Sequence, residues 1–296
     1  MPGLVPHRYA VPAPLLVLGG VVSVQWGGAL AATLIPRIGP GGAVLMRLGF
    51  ATVMLLLLLR PRWRGYPRYA WLTVAAFGVA LGVMNLTFYG ALAHLPIGVA
   101  VTIEFIGPLT LAAALSRKIG DLVAVLAAAV GVALTSQAAT LPLADLNWTG
   151  LVLALAAGAF WAAYVVLSGR TGAAFPRLDG LAWAMVVATI VVLPVGVRTM
   201  PNWTGREIML GLGIAVLSSV LPYSLELLAL RTLSARVFGI LLSLEPAVAA
   251  LAGLVVLGQR LGPWQLAGMA LVVAASAIVL GMRRADDRAD PTEAVA

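Results

Sequence analysis

Cysteine is absent from the 296 residues, which excludes disulfides, thiolate metal sites and cysteine nucleophiles. Charge is scarce: 10% of residues are Asp, Glu, Lys or Arg, against about 25% in soluble domains. Histidine occurs only at His7 and His94, both outside the apolar spans. A serine nucleophile therefore lacks its base, and no His/Asp/Glu group has metal-ligand spacing. No phosphate-binding loop is present, so ATP hydrolysis is not the energy source. These absences predict a protein that is not an enzyme and carries neither metal nor cofactor.

Apolar residues make up 61% of the chain, and its mean hydropathy is +1.02. That composition belongs in a lipid bilayer. No cleavable signal peptide is expected, because the first long apolar run, from Val11, has no short apolar region with a small-residue cleavage site. The net charge of +8 sits in short loops between apolar runs, so it speaks for membrane topology and against a nucleic-acid partner.

Runs of about 20 apolar residues predict ten helices, at 12–34, 40–60, 69–91, 97–116, 119–137, 150–169, 179–198, 208–230, 236–257 and 263–282. The expected fold is thus an all-α integral membrane protein with ten transmembrane helices. With the N-terminus inside, fourteen Lys and Arg fall on the cytoplasmic side, among them Arg60, Arg62, Arg64, Arg68 and Arg170. Four, Arg37, Arg198, Arg206 and Arg260, fall outside, and Arg47 lies within helix 2. This asymmetry places both termini in the cytoplasm. Residues 283–296 are expected to form a charged cytoplasmic tail.

Without a gap, residues 91–115 superpose on 229–253, matching Ala91/Ala229, Leu95/Leu233, Val99/Val237, Pro108/Pro246 and Ala112/Ala250. Trp26 and Trp161 hold similar places early in helices 1 and 6. The chain therefore reads as two five-helix repeats, 1–138 and 139–282. An odd number of spans per half turns the second upside down, the architecture of secondary transporters with a midplane site.

The centre of the first repeat is Gly98-Val-Ala-Val-Thr-Ile-Glu-Phe-Ile-Gly-Pro108. A carboxylate at bilayer depth costs about 2.5–3.5 kcal/mol to insert, so Glu104 is a candidate for function. Pro108 has no N–H to offer the carbonyl four residues back, that of Glu104, and Pro246 does the same for Leu242. Pro108 and Pro246 are the predicted hinges of two interrupted helices. Arg47, Glu104, Glu226 and Glu245 are the ionisable residues inside the spans. Arg47 and Glu104 each lie seven residues from the outer end of their helices, roughly 10 Å deep. They are either a structural ion pair or a substrate site; Glu226, four residues from the inner end of its helix, is either functional or an interfacial partner of Arg231 or Arg236. Glu245 is a site residue or a packing element beside Pro246. Trp26, Tyr89, Phe105, Trp161, Tyr164 and Tyr223 lie near these levels and either pack or wall a site that accepts an ammonium group.

Asn147-Trp-Thr-Gly150 and Asn202-Trp-Thr-Gly205 precede helices 6 and 8 and read as interfacial anchors and caps. Gly78-x-x-x-Gly82 allows close helix approach, either within the chain or between two copies.

Ten spans in two inverted halves resemble the drug/metabolite transporter superfamily of EamA type. The Gly98–Pro108 motif, Leu221-Pro-Tyr-Ser-Leu-Glu-Leu-Leu-Ala-Leu230, Arg236-Val-Phe-Gly, Ser243-Leu-Glu-Pro-Ala247 and Met84-Asn85 are similar to its threonine/homoserine exporter branch. The resemblance implies a bacterial inner-membrane exporter of threonine, homoserine or related metabolites, coupled to protons. It marks Arg47, Glu104, Glu226 and Glu245 as motif positions. The implied partners are a small-molecule substrate, protons and the lipid bilayer. A carrier of the same type for another metabolite or a hydrophobic cation is the alternative. In the empty carrier Arg47 and Glu104 are expected to pair with each other, and substrate to insert between them.

Overall fold

A computed structural model describes residues 12–114, 119–135, 147–175, 178–230, 241–242 and 244–275. The helices are α1 (Ala13–Leu59), α2 (Arg68–Leu92), α3 (Ile97–Glu104), α4 (Ile106–Ala114), α5 (Ile119–Thr135), α6 (Trp148–Ala174) and α7 (Asp179–Gly196). They continue with α8 (Gly205–Ala215), α9 (Leu221–Leu230), α10 (Glu245–Leu257) and α11 (Pro263–Ala275). Five helices among the described residues are long and apolar enough to cross a membrane: Ala13–Leu59, Arg68–Leu92, Trp148–Ala174, Asp179–Asn202 and Gly205–Glu226.

The 47 residues of α1 would reach about 70 Å if straight. They double back instead. Gly27 lies against Ser218, and Arg47, twenty residues later in α1, also bonds to Ser218. The reversal is concentrated at Gly39, whose φ of 70° and ψ of 166° suit a residue without Cβ. Pro36 and Pro40 flank it, so the helix before it runs to Ile38, past the predicted end at 34. Pro40 can open the second arm because the first residues of a helix have no acceptor for their N–H.

The described chain departs from regular helix near both prolines. The first apolar run breaks at Phe105, between α3 and α4, three residues before Pro108. Near Pro246 the described chain turns at Leu244 before α10 begins. A third irregularity escaped the sequence reading: residues Val216–Val220 form a π-helical turn between α8 and α9. Pro222 explains it, since its ring crowds the carbonyl of residue 218 and cannot bond to it.

Helices approach closely where side chains are small, as expected where lipid offers no hydrophobic drive between helices. A Cβ on Gly107 would overlap the carbonyl of Gly158, and one on Gly158 would sit 2.5 Å from the carbonyl oxygen of Glu104. The carbonyl that Pro108 leaves free therefore faces the α6 backbone. Gly78 and Gly82 pack on Ala184, Val187 and Ala188 of α7, which makes Gly78-x-x-x-Gly82 an internal contact. The two identical tetrapeptides are used differently. Asn147 caps α6 by accepting from the N–H of Gly150 at 3.1 Å, whereas Thr204, not Asn202, caps α8 in a reciprocal capping box with Glu207. Glu207 also holds Arg37 at 3.0 Å, the one ion pair among the described residues.

Candidate functional site

Arg47 reaches the interior because the second arm of α1 packs against the π-helical turn. Its Nη2 donates to the carbonyl oxygen of Ser218 at 2.5 Å and its Nε to the hydroxyl of Ser219 at 3.0 Å. Pro222, four residues after Ser218, supplies no N–H to that carbonyl. The guanidinium takes the vacant acceptor. Two longer bonds of 3.4 Å run from Nη1 to the Tyr89 hydroxyl and from Nη2 to the Tyr223 hydroxyl, and the guanidinium carbon stands 5.6 Å from the centre of the Tyr89 ring. Arg47 is only 4% exposed, so these partners offset its desolvation.

The carboxyl groups gather round this cation without touching it. Glu104 and Arg47 act on each other electrostatically, yet they form no ion pair. The expected resting Arg47–Glu104 pair is thereby corrected: a backbone carbonyl and three hydroxyls hold the guanidinium. Glu226, half-buried beside Gly20, also feels Arg47. Its suggested partners Arg231 and Arg236 lie outside the described residues. Glu245 is buried and accepts from Nε2 of Gln25 at 3.3 Å, and it feels both Glu226 and Glu104. Two carboxyl groups, Glu104 and Glu226, thus share the field of one guanidinium, and Glu245 stands in the field of those two. Among the described residues no group of His, Cys, Asp or Glu could hold a metal ion.

The aromatic residues divide. Tyr164 and Tyr223 face each other at 6.3 Å, Phe77 touches Tyr164, and Tyr89 completes the wall around Arg47. Trp161 stands edge-on to Phe105, the residue after Glu104, with ring centres 5.6 Å apart. Trp26 packs instead with Ile97, Val101 and Ala249 and borders a groove of about 610 Å³ with Ser23, Leu217 and Leu221. It is not a partner of Arg47.

The chain as a whole matches known transporters. The profile of the EamA-like transporter family covers residues 148–281. The threonine/homoserine exporter RhtA of Escherichia coli strain K12 is 37% identical over 284 residues, spanning 93% of this chain and 94% of that protein. The chain belongs to the EamA-like transporter family. RhtA of Salmonella typhimurium matches with the same identity and coverage of this chain. Protein PecM of Dickeya dadantii, at 28% over 271 residues and 86% of this chain, is a more distant relative. A solved crystal structure shares the fold, with a TM-score of 0.63 at 17% identity over 92% of this chain and 97% of that one. The two RhtA relatives are exporters of threonine and homoserine.

Four site residues were missed by sequence reasoning: Gln25, Ser218, Ser219 and Pro222. Each left a signal. Gln25 is an amide amid an apolar run, Ser218-Ser219 is a small polar pair, and Pro222 frees a carbonyl by the rule already applied to Pro108 and Pro246. Ser218 keeps one further distinction: its hydroxyl is buried and has no hydrogen-bond partner among the described residues.

Proposed function

We propose that the chain exports small amino acids of the threonine and homoserine class across the bacterial inner membrane in exchange for protons. The observation that carries this reading is 37% identity, over 93% of the chain, to exporters of those two compounds. The site supports it chemically. A zwitterion entering a low-dielectric space needs both charges answered, since an unpaired buried ion costs several kcal/mol. The guanidinium of Arg47 matches a carboxylate through its planar fork, and its two 3.4 Å bonds to Tyr89 and Tyr223 are the ones an arriving carboxylate displaces. Glu104 answers the ammonium, with Glu245 and Glu226 nearby. An excess of acid groups over cations suits exchange of a proton for an ammonium group. The unpartnered hydroxyl of Ser218 offers a mate to the hydroxyl that threonine and homoserine share.

The proposed arrangement is ten spans in two inverted halves, 1–138 and 139–282, with both termini cytoplasmic and Pro108 and Pro246 as hinges. The doubling of α1 and the paired helix interruptions support it. Because the chain has no cysteine, topology can be read directly. A cysteine at Arg64 should be shielded from an impermeant thiol reagent in intact cells, and one at Gly205 should label.

Counterflow of labelled threonine in proteoliposomes tests the function. Competition by homoserine, with none by a lipophilic cation, is the expected result. Competition by the cation alone would assign the tyrosine wall and carboxyl groups to cation extrusion instead.

A further inference from the structure

We infer that the segment joining α1 to α2 is a preformed binding site for the headgroup of an anionic phospholipid. Within nine residues it carries Arg60, Arg62, Arg64 and Arg68, all exposed. No carboxylate among the described residues forms an ion pair with any of them. Asp179, which meets this segment, is engaged by its backbone and by Tyr66 and not by a guanidinium. Its Oδ2 accepts from the N–H of Arg62 at 3.3 Å and from the Tyr66 hydroxyl at 3.1 Å. The segment is thus anchored while its positive side chains are left unneutralised.

Other contacts hold the same shape. The Trp183 indole donates to the carbonyl of Arg62 at 3.0 Å. Tyr66 packs on Phe175 with ring centres 4.3 Å apart, and Trp71 stands edge-on to Phe175 and to Trp183. Tyr66 keeps its proton well past neutral pH, because burial, then its hydrogen bond to Asp179 and the charge of that group, push its titration upward. Arg60 adds an independent sign. It is the one non-glycine residue with positive φ, 46°, among those described, at a helix terminus where glycine is the relaxed choice. An arginine there bears a backbone cost while adding a charge.

The surroundings name the ligand. Leu57 and Leu58 are 70% and 72% exposed, as is Leu72 at 72%, which makes the flanking helix surface fit for acyl chains. Trp63 and Tyr69 are also mostly exposed, the residue types that settle at headgroup level. Arg64 lies over the Trp63 ring at 4.3 Å. Four exposed guanidinium groups without a carboxylate partner, next to exposed apolar and aromatic side chains, complement a phosphate joined to two acyl chains. They are a poorer match to a free anion, which would leave those side chains bare.

Native mass spectrometry of the purified full chain, titrated with phosphatidylglycerol or phosphatidylcholine, tests the site. The expected result is tighter binding of phosphatidylglycerol by at least tenfold, weakened by added salt. Each single Arg→Gln change at 60, 62, 64 or 68 should cost about fivefold, and Arg198→Gln with Arg206→Gln should cost nothing. Asp179→Asn should reduce the preference with all four arginines still present. Equal binding of the two lipids by the unaltered protein, or equal losses from the Arg198/Arg206 changes, would overturn the proposal. So would displacement of phosphatidylglycerol by inorganic phosphate at equal concentration.

Discussion

The carbonyl oxygen of Ser218 accepts a hydrogen bond from Nη2 of Arg47 at 2.5 Å, and Pro222, four residues on, has no N–H to offer that oxygen. The buried cation is therefore positioned by a missing backbone hydrogen bond. Replacing Pro222 by Ala would give the Ser218 carbonyl a competing N–H and relax the π-helical turn. A hydrogen bond to a charged group is worth about 1.5–3 kcal/mol. We expect a rise of about tenfold in the half-saturating threonine concentration in counterflow, with thermal stability kept or raised. Unchanged affinity would remove Pro222 from the site.

Arg47 and Glu104 should behave differently when changed singly. Arg47→Ala should weaken every carboxylate-bearing substrate by tenfold or more. Glu104→Gln should abolish accumulation driven by a pH gradient while leaving slow threonine exchange. The double swap Arg47→Glu with Glu104→Arg should not restore a stable protein, since the two groups form no ion pair and an acid at position 47 would meet the Ser218 carbonyl. If Glu104→Gln still accumulates threonine with the normal pH dependence, the coupling residue is Glu245.

The free hydroxyl of Ser218 predicts a change in selectivity. Ser218→Ala leaves the carbonyl that holds Arg47. It should narrow the preference for threonine over 2-aminobutyrate by about tenfold, the value of one hydrogen bond in a dry site. Competition assays with the two compounds measure this directly. A loss common to both compounds would show that Ser218 only packs.

Stability should depend on the α4–α6 contact. Gly107→Ala drives a Cβ into the carbonyl of Gly158, backbone against backbone, so the helices must part. A loss of about 1–3 kcal/mol or failure to accumulate in the membrane is expected. Gly205→Ala, which meets nothing within 4 Å, should be tolerated, and melting in detergent compares the two.

The two tetrapeptides give a paired test of capping. Asn147→Ala should cost about 1 kcal/mol, because its side chain accepts from Gly150. Asn202→Ala should leave melting unchanged, while Thr204→Ala should lower it, since Thr204 caps α8 with Glu207.

Much of this was legible in the chain because it depends on single helices. Hydropathy over about 20 residues marks an apolar helix whatever surrounds it, and the helical interruption before Pro108 follows from a missing N–H one turn away. Arg47, Glu104 and Glu245 were visible as candidates because each stands out against an apolar background. Other features depend on how a helix is rotated and what faces it, and no local pattern carries that. The sequence placed Arg47 and Glu104 at one depth but said nothing of azimuth, so their pairing was a guess that the Ser218 carbonyl displaced. Identical Asn-Trp-Thr-Gly stretches capped through different residues because the preceding chains enter their helices differently: residues 197–202 form a 3₁₀ turn before Trp203, while Asn147 reaches His94. Gly78-x-x-x-Gly82 promised a close approach, and only the tertiary structure chose α7 as the partner. The sequence by itself determined which segments are apolar enough for a bilayer and which charges lie among them. Tertiary packing decided which groups answer those charges, because that choice rests on contacts between residues far apart in the chain, such as Arg47 with Ser218, 171 positions on.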